Sequence, residues 1–561
     1  MMCVVCQTLR PWQDGCDYVV GETGIAKPLN TPQSNTADDA DQDESQDTQP
    51  IGGEDLGGLE QSLPIYTTED VAEFLLNGFW KNLGGARSFC ATTGDTLWVD
   101  LTSLQEDGQA MARLALQAWS DVTGLLFAEV GANGDILGGQ EDGDASASND
   151  TAYSIAVGEY FLGTIGQTGD RDRVAVTVTA GQTITFTLAS DTWNGPSLVD
   201  PFLRLYDSSG TLLAENDDSS GLNSAVTWTA SKDGVVYLEA AAYSDFYAGG
   251  YRLSAGTEAI SADITFGDQD SGAYANFVTS DGVIESAFVN VNYNWTGGGD
   301  RVDSYHYQTY LHEIGHALGL GHAGDYNGSA IWGVDNHYQN DSWQISIMSY
   351  FDQLENDEID GSYAFAVTPQ SADIFALRSL YGGGSARADD TVYGQTGDTG
   401  TYLDNLASTQ TPVTWTILDD GGTDSLDYAN TWTNQQIDLT PGTISNVLGL
   451  TGNLVIYQTT VIENATAGNG RDWINGNDVA NVLSGNGGHD VLLGWDGDDT
   501  LHGGDGRDFL SGGDGANTLN GGKGGDLLIG GGVTQEEIDA ILNNPDYGAA
   551  DIWEDYADAL F

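Results

Sequence analysis

The rhythm of polar and apolar positions changes several times along the chain, and each change marks a boundary. Residues 1–60 have no period: six acidic residues fall between Asp38 and Asp47, set among Thr, Gln, Ser and Gly. Such a stretch buries too little surface to offset its ordering entropy and reads as a disordered acidic leader. From Tyr66 the pattern becomes helical. Thr68-Glu-Asp-Val-Ala-Glu-Phe-Leu-Leu predicts a short capped helix ending at Gly78. Leu97-Trp-Val-Asp-Leu predicts a strand. Ser103 and Glu106 have the spacing of a capping box, and Met111, Leu114, Ala115, Ala118 and Trp119 form the apolar stripe of a helix that stops near Gly124.

Residues 131–150 read as a polar, Gly-rich linker, after which the period becomes two. Val174, Val176 and Val178 alternate with polar or small residues, as do Ile184, Phe186 and Leu188, and short strands recur around Leu203, Trp228 and Tyr237. That spacing predicts an all-β sandwich. Strands are expected again at Ala262–Gly267 and Ala287–Tyr293, then a helix over Ser304–Leu320. From Ala467 to Ile529 a nine-residue period takes over. Its sixth position is Asp472, Asn481, Asp490, Asp499, Asp508, Asn517 and Asp526; its eighth is always Ile or Leu.

Composition narrows the partners. With 16 Lys+Arg against 84 Asp+Glu the net charge is −68, which repels nucleic acid and anionic membranes and favours multivalent cations. No apolar run is long enough to span a membrane, and MMCVVCQTLRPW lacks the basic start of a secretory signal. Cys3, Cys6 and Cys16 cluster at the start, with Cys90 the fourth; the lone CxxC of Cys3 and Cys6 reads as unspecialised thiols of the leader.

The chemistry concentrates at His312-Glu313-Ile-Gly-His316-Ala-Leu-Gly319-Leu-Gly-His322. On a helix, His312 and His316 share one face and can point two imidazoles at one metal. Gly319 permits the sharp turn that returns His322 as a third ligand. Three protein ligands leave a coordination position for water, whose proton Glu313 can take and later pass to a leaving amine. Met348 lies 26 residues beyond His322, within Ser346-Ile-Met348-Ser-Tyr350.

A HExxHxxGxxH motif with a downstream Met-turn is the metzincin signature. Within that group the chain resembles a serralysin, the secreted bacterial type. The resemblance lies in QAWSDVTG, ADITFG, HEIGHALGLGHAGDYN, SIMSYF, ADIFALRSLYG and DTVYG, across residues 61–130 and 258–530. Ala323 stands where serralysins usually carry Pro. The resemblance implies that Tyr350 ligates zinc at rest and swings away to stabilise the oxyanion. It also makes Ala262, Asp263, Ile264, Thr265, Phe266 and Gly267 the edge strand that pairs with an extended peptide substrate. Separately, Tyr153–Gly256 resembles the bacterial pre-peptidase C-terminal domain, in GDRDRVAVTVTAGQTITF, DPFLRLYDSSGTLLAENDD and GGYRL.

The nonapeptide period resembles the GGxGxDxUx repeat of RTX proteins, a parallel β-roll in which Asp472, Asp490, Asp499, Asp508 and Asp526 supply oxygen to Ca²⁺. If each nine-residue turn is half a coil, one flank carries Asp472, Asp490, Asp508 and Asp526, and the other Asn481, Asp499 and Asn517. Calcium is then expected to bind more tightly on the all-Asp flank. Carboxylates that repel one another without calcium suit export of an unfolded chain, and Asp558-Ala-Leu-Phe561 resembles the C-terminal signal read by a type I secretion system.

The expected fold is multidomain: a disordered leader or prosegment (1–60), an α/β metzincin catalytic domain of twisted sheet plus helices (61–130 and 257–385), a linker with an inserted all-β sandwich (131–256), an RTX β-roll (386–530) and a tail with the secretion signal (531–561). The expected protein is a secreted, extracellular, monomeric endopeptidase with Zn²⁺ and Ca²⁺, acting on extended polypeptides. The alternative is a non-enzymatic RTX surface or adhesion protein whose metzincin module is vestigial.

Overall fold

The computed structural model describes residues 63–542 apart from 131–135, 194, 220, 245 and 257–260. The expected leader, Cys3, Cys6, Cys16 and the signal at Asp558–Phe561 lie outside the described residues. Cys90 is disulfide-bonded. No helix among the described residues is long and apolar enough to cross a membrane. Two compact units form: one holds the described residues up to Asp95, Gln105–Leu126 and those from Gly267 on, the other Thr96–Leu104 and Phe127–Phe266.

In the first unit, helix α1 (Thr68–Glu73) starts at a capping box between Thr67 and Asp70. It continues through tighter and wider turns to Asn82, burying Leu75, Leu76 and Trp80. Helix α2 (Glu106–Thr123) buries Met111, Ala115, Ala118 and Trp119 and stops at Gly124 in the left-handed conformation. Its start corrects the expected capping box: Gln105, not Ser103, is the N-cap, without a side-chain cap of its own. The Gln105 N–H donates instead to Asp268 Oδ2 at 3.0 Å, a partner that local spacing cannot reveal.

Ser88–Phe89 pairs in parallel with Val283–Val291, which pairs antiparallel with Ala273–Ser280. Helix α3 (Tyr305–Ala317) is capped by the Ser304 side chain, and helix α4 (Ser371–Tyr381) begins at Gln370 with Asp373 as its N3 acid. The Trp119 indole of α2 donates to the Leu311 carbonyl of α3 at 3.0 Å, locking the two helices together.

Beyond α4 the chain coils into two parallel sheets. Val392–Gly394, Ser425–Asp427, Asn464–Thr466, Val482–Gly488, Thr500–Gly506 and Thr518–Gly524 make one; Gln436–Asp438, Trp473–Asn477, Val491–Trp495, Phe509–Ser511 and Leu527–Ile529 make the other. Successive nonapeptides alternate between them, so residues 18 apart stack: Leu483 on Leu501 on Leu519, Ile474 on Leu492 on Leu510 on Leu528. The aliphatic eighth positions are fully buried from Ile474 to Leu510 and emerge at Leu528, which is 42% exposed.

The second unit contains two five-stranded sheets around a core that includes Val174, Val176, Phe186, Leu188, Leu238 and Leu253. The expected linker is partly a strand: Ile136–Gln140 pairs in parallel with Glu159–Ile165. Its Gly-rich sequence hides this, because the pairing is made by backbone alone. In the same unit Ile264 and Thr265 pair with Val99 and Asp100. Ile264–Gly267 therefore does not form the expected edge. It runs inside its sheet order, and Ile264 and Phe266 are buried.

Candidate active site

Helix α3 places His312, Glu313 and His316 on its buried side, and Gly319 then turns the chain. Gly319 has φ +111°, and a Cβ there would collide with the Arg87 carbonyl. The Trp80 indole holds the Gly319 carbonyl at 3.0 Å. His322 returns so that its Nε2 lies 3.0 Å from His316 Nε2. One ligand atom from each of His312, His316 and His322 falls within 4.8 Å of the others.

The donor set fits a metal ion. His312 Nδ1 faces the Ile347 carbonyl at 2.9 Å, and His316 Nδ1 faces the Leu320 carbonyl at 2.8 Å. A carbonyl only accepts, so both Nδ1 atoms carry the proton and both Nε2 atoms present lone pairs. Burial pushes His312 down to about 3 and His316 to about 4, and holds His322 well below the usual imidazole value. The three rings are thus neutral, the form that ligates, and one nitrogen from each converges on a common point.

The segment beneath is built from Met348, fully buried; a Cβ on Gly315 would lie 2.8 Å from its Sδ. Asp373 of α4 fixes this turn. Its carboxylate accepts from Ser346 Oγ at 2.6 Å, the Ile347 N–H at 2.8 Å and the Gln370 N–H at 2.8 Å. Ile347 is thereby held by its N–H to Asp373 and by its carbonyl to His312. Asp341 does the same on the other side, accepting from Ser349 Oγ at 2.7 Å and Tyr326 Oη at 3.1 Å. Sequence spacing pointed to neither aspartate. Asp373 reads simply as a helix-start acid, and Asp341 sits in a polar stretch without period.

Glu313 and Tyr350 share one cavity of about 320 Å³ with the three histidines. The Tyr350 ring lies 4.5 Å from that of His322, and its hydroxyl accepts from the Gly328 N–H at 3.3 Å. Ala273, Tyr274 and Ala275 line the same cavity. Ala273–Ser280, with its single partner strand among the described residues, supplies the open rim that Ile264–Gly267 was expected to supply. Both segments alternate; only long-range pairing decides which lies outside.

The repeat carboxylates stack as the period implies. Asp472 N–H donates to Asp490 Oδ1 at 2.9 Å, Asp490 N–H to Asp508 Oδ1 at 3.0 Å and Asp508 N–H to Asp526 Oδ1 at 3.2 Å. On the other flank Asn481 N–H donates to Asp499 Oδ1 at 2.8 Å. The second oxygens of Asp490, Asp499 and Asp508 are buried without a hydrogen-bond partner, an arrangement that suits a hard cation. Sequence reasoning missed a further carboxylate group in the second unit. Glu141, Asp144 and Asp172 bring one oxygen each within 4.8 Å, a spacing of the same kind.

Residues 383–534 match the family described as Peptidase M10 serralysin C terminal. The chain is 39% identical over 189 residues to the metallopeptidase AprA of Pseudomonas marginalis, covering 32% of this chain and 39% of that one. It is 40% identical over 187 residues to a serralysin of Proteus mirabilis (33% and 38% covered). It is 36% identical over 240 residues to a serralysin of Photorhabdus laumondii (40% and 49% covered). A crystal structure of the pre-peptidase C-terminal domain of a collagenase from Bacillus anthracis matches at 17% identity and TM-score 0.16, covering 20% of this chain and 98% of that one. The chain is thus related to metallopeptidases. More narrowly, its relatives are of the serralysin type, and the matches span about two fifths to one half of their length.

Proposed function

We propose that the chain is a secreted zinc endopeptidase of metzincin type that cleaves extended polypeptides. The observation that carries this reading is the convergence of three neutral imidazoles on one point, in a cavity that Glu313 also lines. His312, His316 and His322 would hold zinc, which when bound supplies Lewis acidity toward water and the scissile carbonyl. Glu313, 5% exposed on the helix face beside the histidines, takes the proton of the attacking water and returns it to the departing amine. The Tyr350 hydroxyl leaves the Gly328 N–H to donate to the developing oxyanion. Ala273–Ser280, the rim strand of the cavity, receives the substrate as an added strand. The catalytic domain comprises 61–130 and 257–385, broken by the sandwich of 131–256.

The nonapeptide coil is an RTX β-roll that takes Ca²⁺ at Asp472, Asp490, Asp499, Asp508 and Asp526. Binding stabilises only the folded form, so the roll folds after export through type I machinery by a C-terminal signal. The protein then acts as a monomer. Hydrolysis of an unfolded protein by the full chain with Zn²⁺ and Ca²⁺, beside its Glu313→Ala variant, tests the reading. Activity that falls by about two to four orders of magnitude in the variant is expected. A folded, zinc-loaded chain without activity would shift the weight to a binding protein.

A further inference from the structure

Gln308 lies four residues before His312 on α3, so the two side chains share one helix face. It is 4% exposed and lines the cavity that holds His312 and Glu313. The Ala366 N–H donates to its Oε1 at 2.8 Å, which fixes the amide's orientation. Its Nε2 makes no hydrogen bond among the described residues, yet it is not sealed in protein and so opens on the cavity. Aromatic rings line the same cavity: Trp295, Tyr305 and Trp343, with Trp295 5.8 Å from Tyr305. The ring-lined part of the cavity is thus a recess that also holds the Gln308 amide, one helical turn along α3 from His312.

We infer that Gln308 selects the substrate side chain entering this recess: a large one ending in a hydrogen-bond acceptor, tyrosine or glutamine foremost. The rings supply area to a flat or long side chain. The donor discriminates, because a substrate without an acceptor leaves Nε2 desolvated and unpaired. A carboxylate would also accept, but it would enter a chain of net charge −68 beside Glu313. This inference rests on the endopeptidase reading.

The test is a cleavage-site profile from unfolded proteins digested by the zinc- and calcium-loaded full chain, with matched Tyr and Phe peptides for kcat/KM. One position flanking the cleaved bond is expected to favour Tyr and Gln, with Tyr preferred over Phe by about fivefold to tenfold. Gln308→Met should bring that ratio close to one. Gln308→Glu keeps an acceptor for the Ala366 N–H but turns the donor into an anion, so the same position should shift toward Lys and Arg. A Tyr-to-Phe ratio unchanged in Gln308→Met, or a Gln308→Glu profile like the parent's, overturns the inference while leaving the protease intact. Absence of cleavage by the folded parent overturns the endopeptidase reading, and this inference with it.

Discussion

Asn517 donates its side-chain amide to the Gly513 carbonyl at 3.1 Å, and so fills with an N–H the place that Asp508 fills with a bare oxygen. The equivalence is geometric. Gly512 abuts Asn517 Nδ2 as Gly503, nine residues earlier, abuts Asp508 Oδ2. Asn481 is likewise self-satisfied, donating to the Glu463 carbonyl at 2.8 Å and Asn477 Oδ1 at 3.0 Å. Where the repeat carries Asn, the amide pairs neighbouring acceptors itself; where it carries Asp490, Asp499 or Asp508, the second oxygen is buried without a hydrogen-bond partner, which suits a cation.

Calcium should therefore favour one flank. Asp490→Asn and Asp508→Asn are each expected to weaken calcium binding by about tenfold or more, since each removes one charge from a continuous carboxylate column. Asp499→Asn, between two amides, should cost only a few-fold. Isothermal titration calorimetry on the three variants compares the losses directly, and equal losses would sink the asymmetry.

The same carboxylates set the pH response of the metal-free roll. Burial pushes Asp490 up to about 8 and Asp508 and Asp472 up to about 6. A folded-state pKa above the unfolded value means that the folded form holds its proton longer, so stability is present at low pH and lost as pH rises. With calcium chelated, thermal stability of the repeat should decline from about pH 4 to about pH 8. Calcium should abolish the decline, because the cation replaces the proton. A chelated protein that grows more stable over this range would contradict the assignment.

The metal triad was legible because helix geometry alone puts residues four apart on one face, and the coil because a nine-residue period has few structural solutions. The repeat's two flanks followed from the period as well. What stayed hidden was everything decided across the fold. Ile264–Gly267 and Ala273–Ser280 alternate alike, and only sheet order leaves the second on the rim. Asp268, which meets the start of α2, lies 163 residues from it. Ile136–Gln140 looked like a linker because two glycines interrupt it, although backbone pairing needs no side chains.

Asp373 shows how such a hidden partner supports the site. Asp373→Ala leaves the Ile347 and Gln370 N–H groups buried and unpaired, each worth about 1–3 kcal/mol. A stability loss of about 3 kcal/mol is expected by urea unfolding. Ile347 also orients His312, so zinc affinity, read by chelator competition, should fall by about tenfold. Lost stability with zinc affinity unchanged would mean that the turn keeps its place without Asp373.

Asp172 carries the opposite expectation, that removing a charge helps. It is fully buried and its carboxylate completes no hydrogen bond, although the nearby Tyr251 hydroxyl favours the ionised form. Burial, reinforced by the charge of Glu141, pushes Asp172 up to about 8. As for the roll, a raised pKa means stability lost as pH rises, here between about 4 and about 8. Asn at this position cannot ionise. With divalent ions chelated, Asp172→Asn should match the parent at pH 4 and melt several degrees higher at pH 8. Melting curves of the full chain at the two pH values decide it. A variant less stable at pH 8 would show that the ionised carboxylate is favoured by its surroundings rather than tolerated.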